Sequence, residues 1–89
     1  MKYVLFYESA PDVAQTAPLH IAEHRARWNT YVDRGTLLLI GPLTDGSGAM
    51  SVFTTRADAE EFAKGDPFVL HGVITGWSIK EWHEVLYQP

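Results

Sequence analysis

Steps of three and four separate Ile21, His24, Trp28 and Val32, and that spacing puts their side chains on one stripe of a helix. Glu23, Arg25, Arg27 and Asn29 fall elsewhere and give the helix a solvated side. The pattern predicts a helix over residues 18–34. Pro18 suits its first turn, where a missing N–H costs nothing, and Asp33-Arg34-Gly35 ends it with glycine as the cap.

Elsewhere the period falls to two. Lys2–Glu8 alternates Tyr3, Leu5 and Tyr7 with Val4 and Phe6, and Thr36–Pro42 is apolar on both faces. Ala49–Thr54 sets Met50, Val52 and Thr54 against Ser51 and Phe53. Val73–Trp82 sets Val73, Thr75, Trp77 and Ile79 against Ile74, Gly76, Ser78 and Lys80. The turn sequence Thr44-Asp45-Gly46-Ser47-Gly48 joins the second and third of these strands, so a hairpin is expected there. A second helix opens at Thr55, with Asp58 at capping-box spacing, turns Ala59, Phe62 and Ala63 inward and stops at Gly65. Asp66-Pro67-Phe68 starts a one-turn or irregular segment, and the tail, His83–Pro89, is expected to extend or to cross to another subunit.

The order β-α-β-β-α-β predicts one α+β domain over residues 1–89. It would be ferredoxin-like, a four-stranded antiparallel sheet with two helices on one face. Two helices cover one face of a sheet, yet these strands are apolar on both. Burying each large side chain gains about 1.5–3 kcal/mol, so a homodimer joined through the open sheet face is expected.

Composition narrows the chemistry more than the fold. The chain of 89 residues has no cysteine, which excludes a disulfide framework, thiol catalysis and cysteine-ligated zinc. A net charge of −4, with arginines scattered among acids, argues against a nucleic-acid surface. No apolar run is long enough for a bilayer and no secretory pattern opens the sequence, so no membrane partner and a cytoplasmic location are expected. Walker, dinucleotide and Gly-x-Ser-x-Gly patterns are absent, and no cofactor is expected.

His24 is the titratable ring on the inward stripe. It reads either as a core histidine bonded to backbone or as a general acid/base, a role that suits imidazole near neutral pH. Asp66, on the turn after the second helix, reads as a turn or cap residue, or as the partner that fixes one ring nitrogen of His24. Asp33 is nine residues past His24, too far along the helix axis to reach it. Trp28 and Phe68 are candidates to line an apolar pocket over His24. Arg25 and Arg27 read as a solvated face or as contacts to an anionic group of a ligand. His20 and His24 have the i, i+4 spacing of two-histidine metal sites, a weak signal with Glu23 off the stripe and His71 and His83 able to join only through the fold. A metal-dependent enzyme is the third alternative, and no metal is expected.

Taken together, these segments resemble the YCII-related family of small α+β proteins. The resemblance rests on Lys2-Tyr3-Val4-Leu5-Phe6-Tyr7, on His24-Arg25-Ala26-Arg27-Trp28 with Gly35 following, on Leu37-Leu38-Leu39-Ile40-Gly41-Pro42-Leu43, and on Gly65-Asp66-Pro67-Phe68 followed by Gly72-Val73. It implies a dimeric α/β-barrel fold and an active site of one histidine and one aspartate, which by position are His24 and Asp66. Trp28, Phe68 and Arg27 are the expected substrate contacts from their positions in the sequence, not from the resemblance. The family includes a dehydrochlorinase of a chlorinated hydroxyhydroquinone. Most members have no assigned reaction, and the Thr44–Gly48 loop is shorter here than in some relatives. Two functions follow as expectations. One is a small cofactor-free lyase or isomerase acting on a cyclic or aromatic compound. The other is a non-catalytic, dimeric ligand-binding or accessory module.

Overall fold

In the computed structural model, which describes residues 1–88, the elements are β1 (Lys2–Ser9), α1 (Val13–Asp33), β2 (Leu37–Pro42), β3 (Gly48–Phe53), α2 (Arg56–Gly65), α3 (Pro67–Leu70) and β4 (Ile74–Trp82). The strands form one antiparallel sheet in the order β2-β3-β1-β4. This is the α+β, ferredoxin-like arrangement, with α1 and α2 packed on one face and the single turn α3 between α2 and β4.

Alternation along β1 decides what meets the helices. Leu5 and Tyr7 are buried in the core, and Leu5 stands opposite Ser51 on one side and Ile79 on the other. Tyr31 from α1 and Phe62 from α2 close over Phe53 in edge-on and tilted contacts, with the Tyr31 and Phe62 rings 5.3 Å apart at 89°. Such geometry aligns the positive edge of one ring with the negative face of another.

Several local expectations are met. Gly35 ends α1 with φ +81°, a left-handed conformation that side chains disfavour. The Thr55 hydroxyl accepts the Asp58 N–H at 3.2 Å and caps α2, while the Asp58 carboxylate accepts a hydrogen bond from Thr36 at 2.7 Å. β2 and β3 form the expected hairpin.

Three expectations need correction. α1 starts at Val13, not at 18, so Pro18 lies inside the helix. Its missing N–H costs the carbonyl of Ala14 a helical partner, at an exposed position where solvent can reach it. Val32 is 48% exposed, whereas Tyr31 is 2% exposed. Seven residues are almost two full turns, so Tyr31 lies beneath His24 and Val32 rotates away. In β4 strict alternation fails: Gly76 pairs with Glu8 but Ile74 pairs with Ser9, leaving Thr75 as an extra residue. This bulge turns Ile74 to the side of Trp77 and Ile79, into the core.

The outer face of the sheet carries Val4, Val52, Met50 and Leu39. The tail folds back toward it: Glu84 pairs with the Met1 amino group at 2.7 Å and Lys2 at 2.8 Å, and Leu86 and Tyr87 share a groove with Leu39, Val52 and Trp82. Pro89 of the expected tail lies outside the described residues.

Candidate active site

The centre of the site is a carboxylate with no solvent access. Asp66 leaves α2 in an extended conformation, and its Oδ1 accepts the Phe68 N–H at 3.2 Å, which caps α3. The same oxygen lies 2.7 Å from Nδ1 of His24, and Oδ2 accepts the Tyr7 hydroxyl at 2.6 Å. Both oxygens of Asp66 are therefore acceptors, and His24 Nδ1–H is the donor between the ring and the carboxylate. In the neutral ring that leaves the lone pair on Nε2, and no protein group among the described residues bonds to it.

Each partner is placed by a different element. His24 sits mid-way along α1, one turn from Trp28, whose ring meets it edge-on at 5.0 Å and 83°. Phe68, oriented by the turn that Asp66 caps, stacks on the imidazole at 3.8 Å and 7°. The ring is thus held by a hydrogen bond at one end and aromatic contacts on its face and side. Tyr7 reaches Asp66 from the centre of the sheet. Burial, then the nearby Asp66 charge, then the hydrogen bond to it raise the Tyr7 phenol far above its ordinary pKa, with Arg27 opposing weakly. It stays a neutral donor.

His24 forms part of the wall of a cavity of about 290 Å³ between α1 and the β2–β3 end of the sheet. Val13, Ala17, Ile21, Trp28, Ile40, Ala49 and Phe68 make most of that wall apolar, and Tyr7, Ser9 and Ser51 are its other polar groups. Trp28 and Phe68 are where the sequence reading put them.

Arg27 is not. Its guanidinium donates to the carbonyls of Glu61 at 2.7 Å and Phe62 at 3.1 Å, and to the Tyr31 hydroxyl at 3.3 Å. It lies outside the cavity wall and stitches α1 to the end of α2, where carbonyls run short of partners and the helix dipole favours a cation. A Cβ at Gly65 would collide with it, which ties the glycine to this contact. His20 and His24 do not make the pair their spacing suggests. His24 is engaged by Asp66, and His20 turns to stack on His71. Asp33 is exposed at the end of α1.

Tyr7 is the site residue the sequence reading did not single out. Its signal was a phenol on the helix-facing side of β1, where a buried hydroxyl needs a partner.

The family model of the YCII-related domain matches residues 1–83. The chain belongs to that family. Among solved structures, it is similar to 5-chloro-2-hydroxyhydroquinone dehydrochlorinase (TftG) from Burkholderia phenoliruptrix AC1100, in complex with 2,5-dihydroxybenzoquinone. The two superpose with a TM-score of 0.76 over 93% of this chain and 94% of that one, at 17% identity, which establishes a shared fold. No curated protein matches the sequence. Among the described residues, no helix of this YCII-related chain is long and apolar enough to cross a membrane.

Proposed function

We propose that this YCII-related protein is a cofactor-free enzyme of the lyase or isomerase type, acting on a small cyclic or aromatic compound. The observation that carries the reading is the unbonded Nε2 of His24, on a ring whose other nitrogen is fixed by Asp66, at the wall of an apolar cavity. The volume, about 290 Å³, is at the lower limit of small-molecule sites and suits a single substituted ring.

Nε2 takes a proton from the bound ligand. The electron pair of the broken bond either expels a leaving group from the ring, as in a lyase, or is reprotonated at another atom by the imidazolium, as in an isomerase. Asp66 holds the tautomer and balances the charge that His24 gains, and Tyr7 keeps Asp66 in place. Phe68 and Trp28 hold the imidazole plane and offer aromatic surface to the ligand. The solved relative, a dehydrochlorinase with a quinone in its complex, supports this substrate class.

The working form is a homodimer joined through the outer sheet face, supported by Leu39 and Met50, which stay 67% and 37% exposed there. A non-catalytic binding module would use the same cavity but gives no reason for the aligned Tyr7–Asp66–His24 chain.

The test is a screen of halogenated and hydroxylated hydroquinones for loss of starting material, with 2,5-dihydroxybenzoquinone titrated as a binding probe through tryptophan fluorescence, Trp28 being the tryptophan at the cavity wall. His24→Gln is expected to lower turnover by about 10²–10⁴-fold, the usual share of general acid–base catalysis, with probe binding changed only a few-fold. Equal turnover by His24→Gln and the wild type would overturn the acid–base role. Binding without turnover across the screen would favour the module.

A further inference from the structure

Outside the cavity wall, where α1 meets the end of α3, three metal-ligating side chains converge that the proposed reaction does not use. His20 and His71 stack face to face, with ring centroids 4.1 Å apart and planes 3° from parallel. Glu23, one helical turn from His20, joins them, and one ligand atom from each of the three lies within 4.8 Å of the others. Glu23 and His71 are exposed and His20 is partly so.

We infer that His20, Glu23 and His71 form a surface site for a divalent transition-metal ion, with Zn²⁺ as the fitting occupant. The donor set is two imidazoles and a carboxylate, the mixture that borderline ions prefer over Mg²⁺ or Ca²⁺. Ligands around a tetrahedral Zn²⁺, each about 2.0–2.2 Å from the ion, are about 3.3 Å from one another. The three side chains must close by an ångström or so, and exposed rotamers allow that. His20 and Glu23 share a rigid helix at a spacing of three, so two ligands are already registered. The third, His71, is the C-cap of α3, just before Gly72 at φ +71°. Three protein ligands leave one position of a tetrahedral ion to water.

The location gives the ion a consequence. It would clip α1, one turn before His24, to the end of the short turn that Asp66 caps. The two segments that supply the His24–Asp66 contact would then be cross-linked outside the cavity wall. Binding of the ion to the folded chain alone would raise thermal stability in proportion to its saturation.

The experiment is a Zn²⁺ titration of untagged, chelator-treated protein, read by competition with a chromogenic chelator and by thermal unfolding. The expected result is one Zn²⁺ per chain and a rise in Tm. His20→Asn and His71→Asn should each weaken binding by about tenfold or more, and Glu23→Gln should weaken it less. His83→Asn should bind as the wild type does, which separates this site from any other exposed histidine. Absence of Zn²⁺ uptake by the wild type, or uptake unchanged in both His20→Asn and His71→Asn, would overturn the assignment.

Discussion

Tyr7 and Asp66 are 59 residues apart in the chain, and the phenol donates to the carboxylate at 2.6 Å. The contact joins an inner strand of the sheet to the turn before α3, so the orientation of His24 is tied to the sheet. Tyr7→Phe keeps the ring and removes only the donor. One oxygen of a carboxylate with no solvent access is then unpaired. Denaturant unfolding should show a loss of about 1.5–3 kcal/mol, the range for a hydrogen bond to a charged group. If the midpoint is unchanged, the bond is not holding Asp66.

Alkaline stability should report the same phenol. Burial first, and the Asp66 charge second, raise the Tyr7 pKa far above the ordinary value of 10.0. The folded chain keeps this proton where the unfolded chain loses it. The Tyr7 contribution to stability is therefore complete below about pH 10 and declines as pH rises beyond it. Tyr31, raised chiefly by burial and by its hydrogen bond to Glu61, acts in the same direction. Denaturant midpoints taken between neutral pH and about pH 11 should fall more steeply for the wild type than for Tyr7→Phe. Parallel slopes would count against a buried Tyr7 phenol.

The element order, the β2–β3 hairpin, the Thr55 cap and the Gly35 stop were legible because each depends on local chemistry or on a simple period. The Ile74 bulge was not, because alternation carries no mark of one extra residue until the partner strand fixes the register. Arg27 lay on the side of α1 that spacing leaves polar, and only the packing of α2 shows that its head caps carbonyls. Asp66 was read two ways, as a cap and as a partner for His24. Both hold, since its Oδ1 takes the Phe68 N–H and faces His24 Nδ1. That a distant turn meets the middle of α1 is tertiary information, supplied beforehand only by resemblance.

Asp66→Asn tests the tautomer directly. An amide has one acceptor oxygen in place of two, and its NH₂ facing His24 would oppose the Nδ1–H. The ring relieves this by moving its proton to Nε2, which removes the lone pair from the cavity. Turnover on any substrate found in the screen should fall by about 10²–10⁴-fold, with ligand affinity changed much less. The ring proton can be located by ¹⁵N chemical shifts of His24. Retention of the Nδ1–H form with full activity would show that Asp66 does not set the tautomer.

Glu84 carries an acid signature at the other end of the molecule. Its hydrogen bonds to Lys2 and the N-terminal amine hold its pKa down to about 2, from 4.5. A depressed carboxyl stabilises the fold above its unfolded pKa and loses that contribution as pH falls through the folded value. The tail should therefore stay against Lys2 down to about pH 4.5 and detach progressively toward pH 2. Carboxyl ¹³C shifts of Glu84 and amide shifts of the tail should titrate together in that window. A Glu84 midpoint near 4.5 would place the tail free in solution.

The outer sheet face makes the last prediction. Leu39 is 67% exposed in the isolated chain, so Leu39→Asp removes little from the monomer core. In a dimer joined through that face, the new carboxylate would be buried against apolar Val52 and Met50 and without a counter-ion. Its desolvation costs more than a rim contact gains. Sedimentation velocity should show a wild-type dimer and a Leu39→Asp monomer with unchanged far-UV circular dichroism. A wild type that sediments as a monomer at every concentration would remove the sheet-face dimer and leave the tail groove as the cover for that surface.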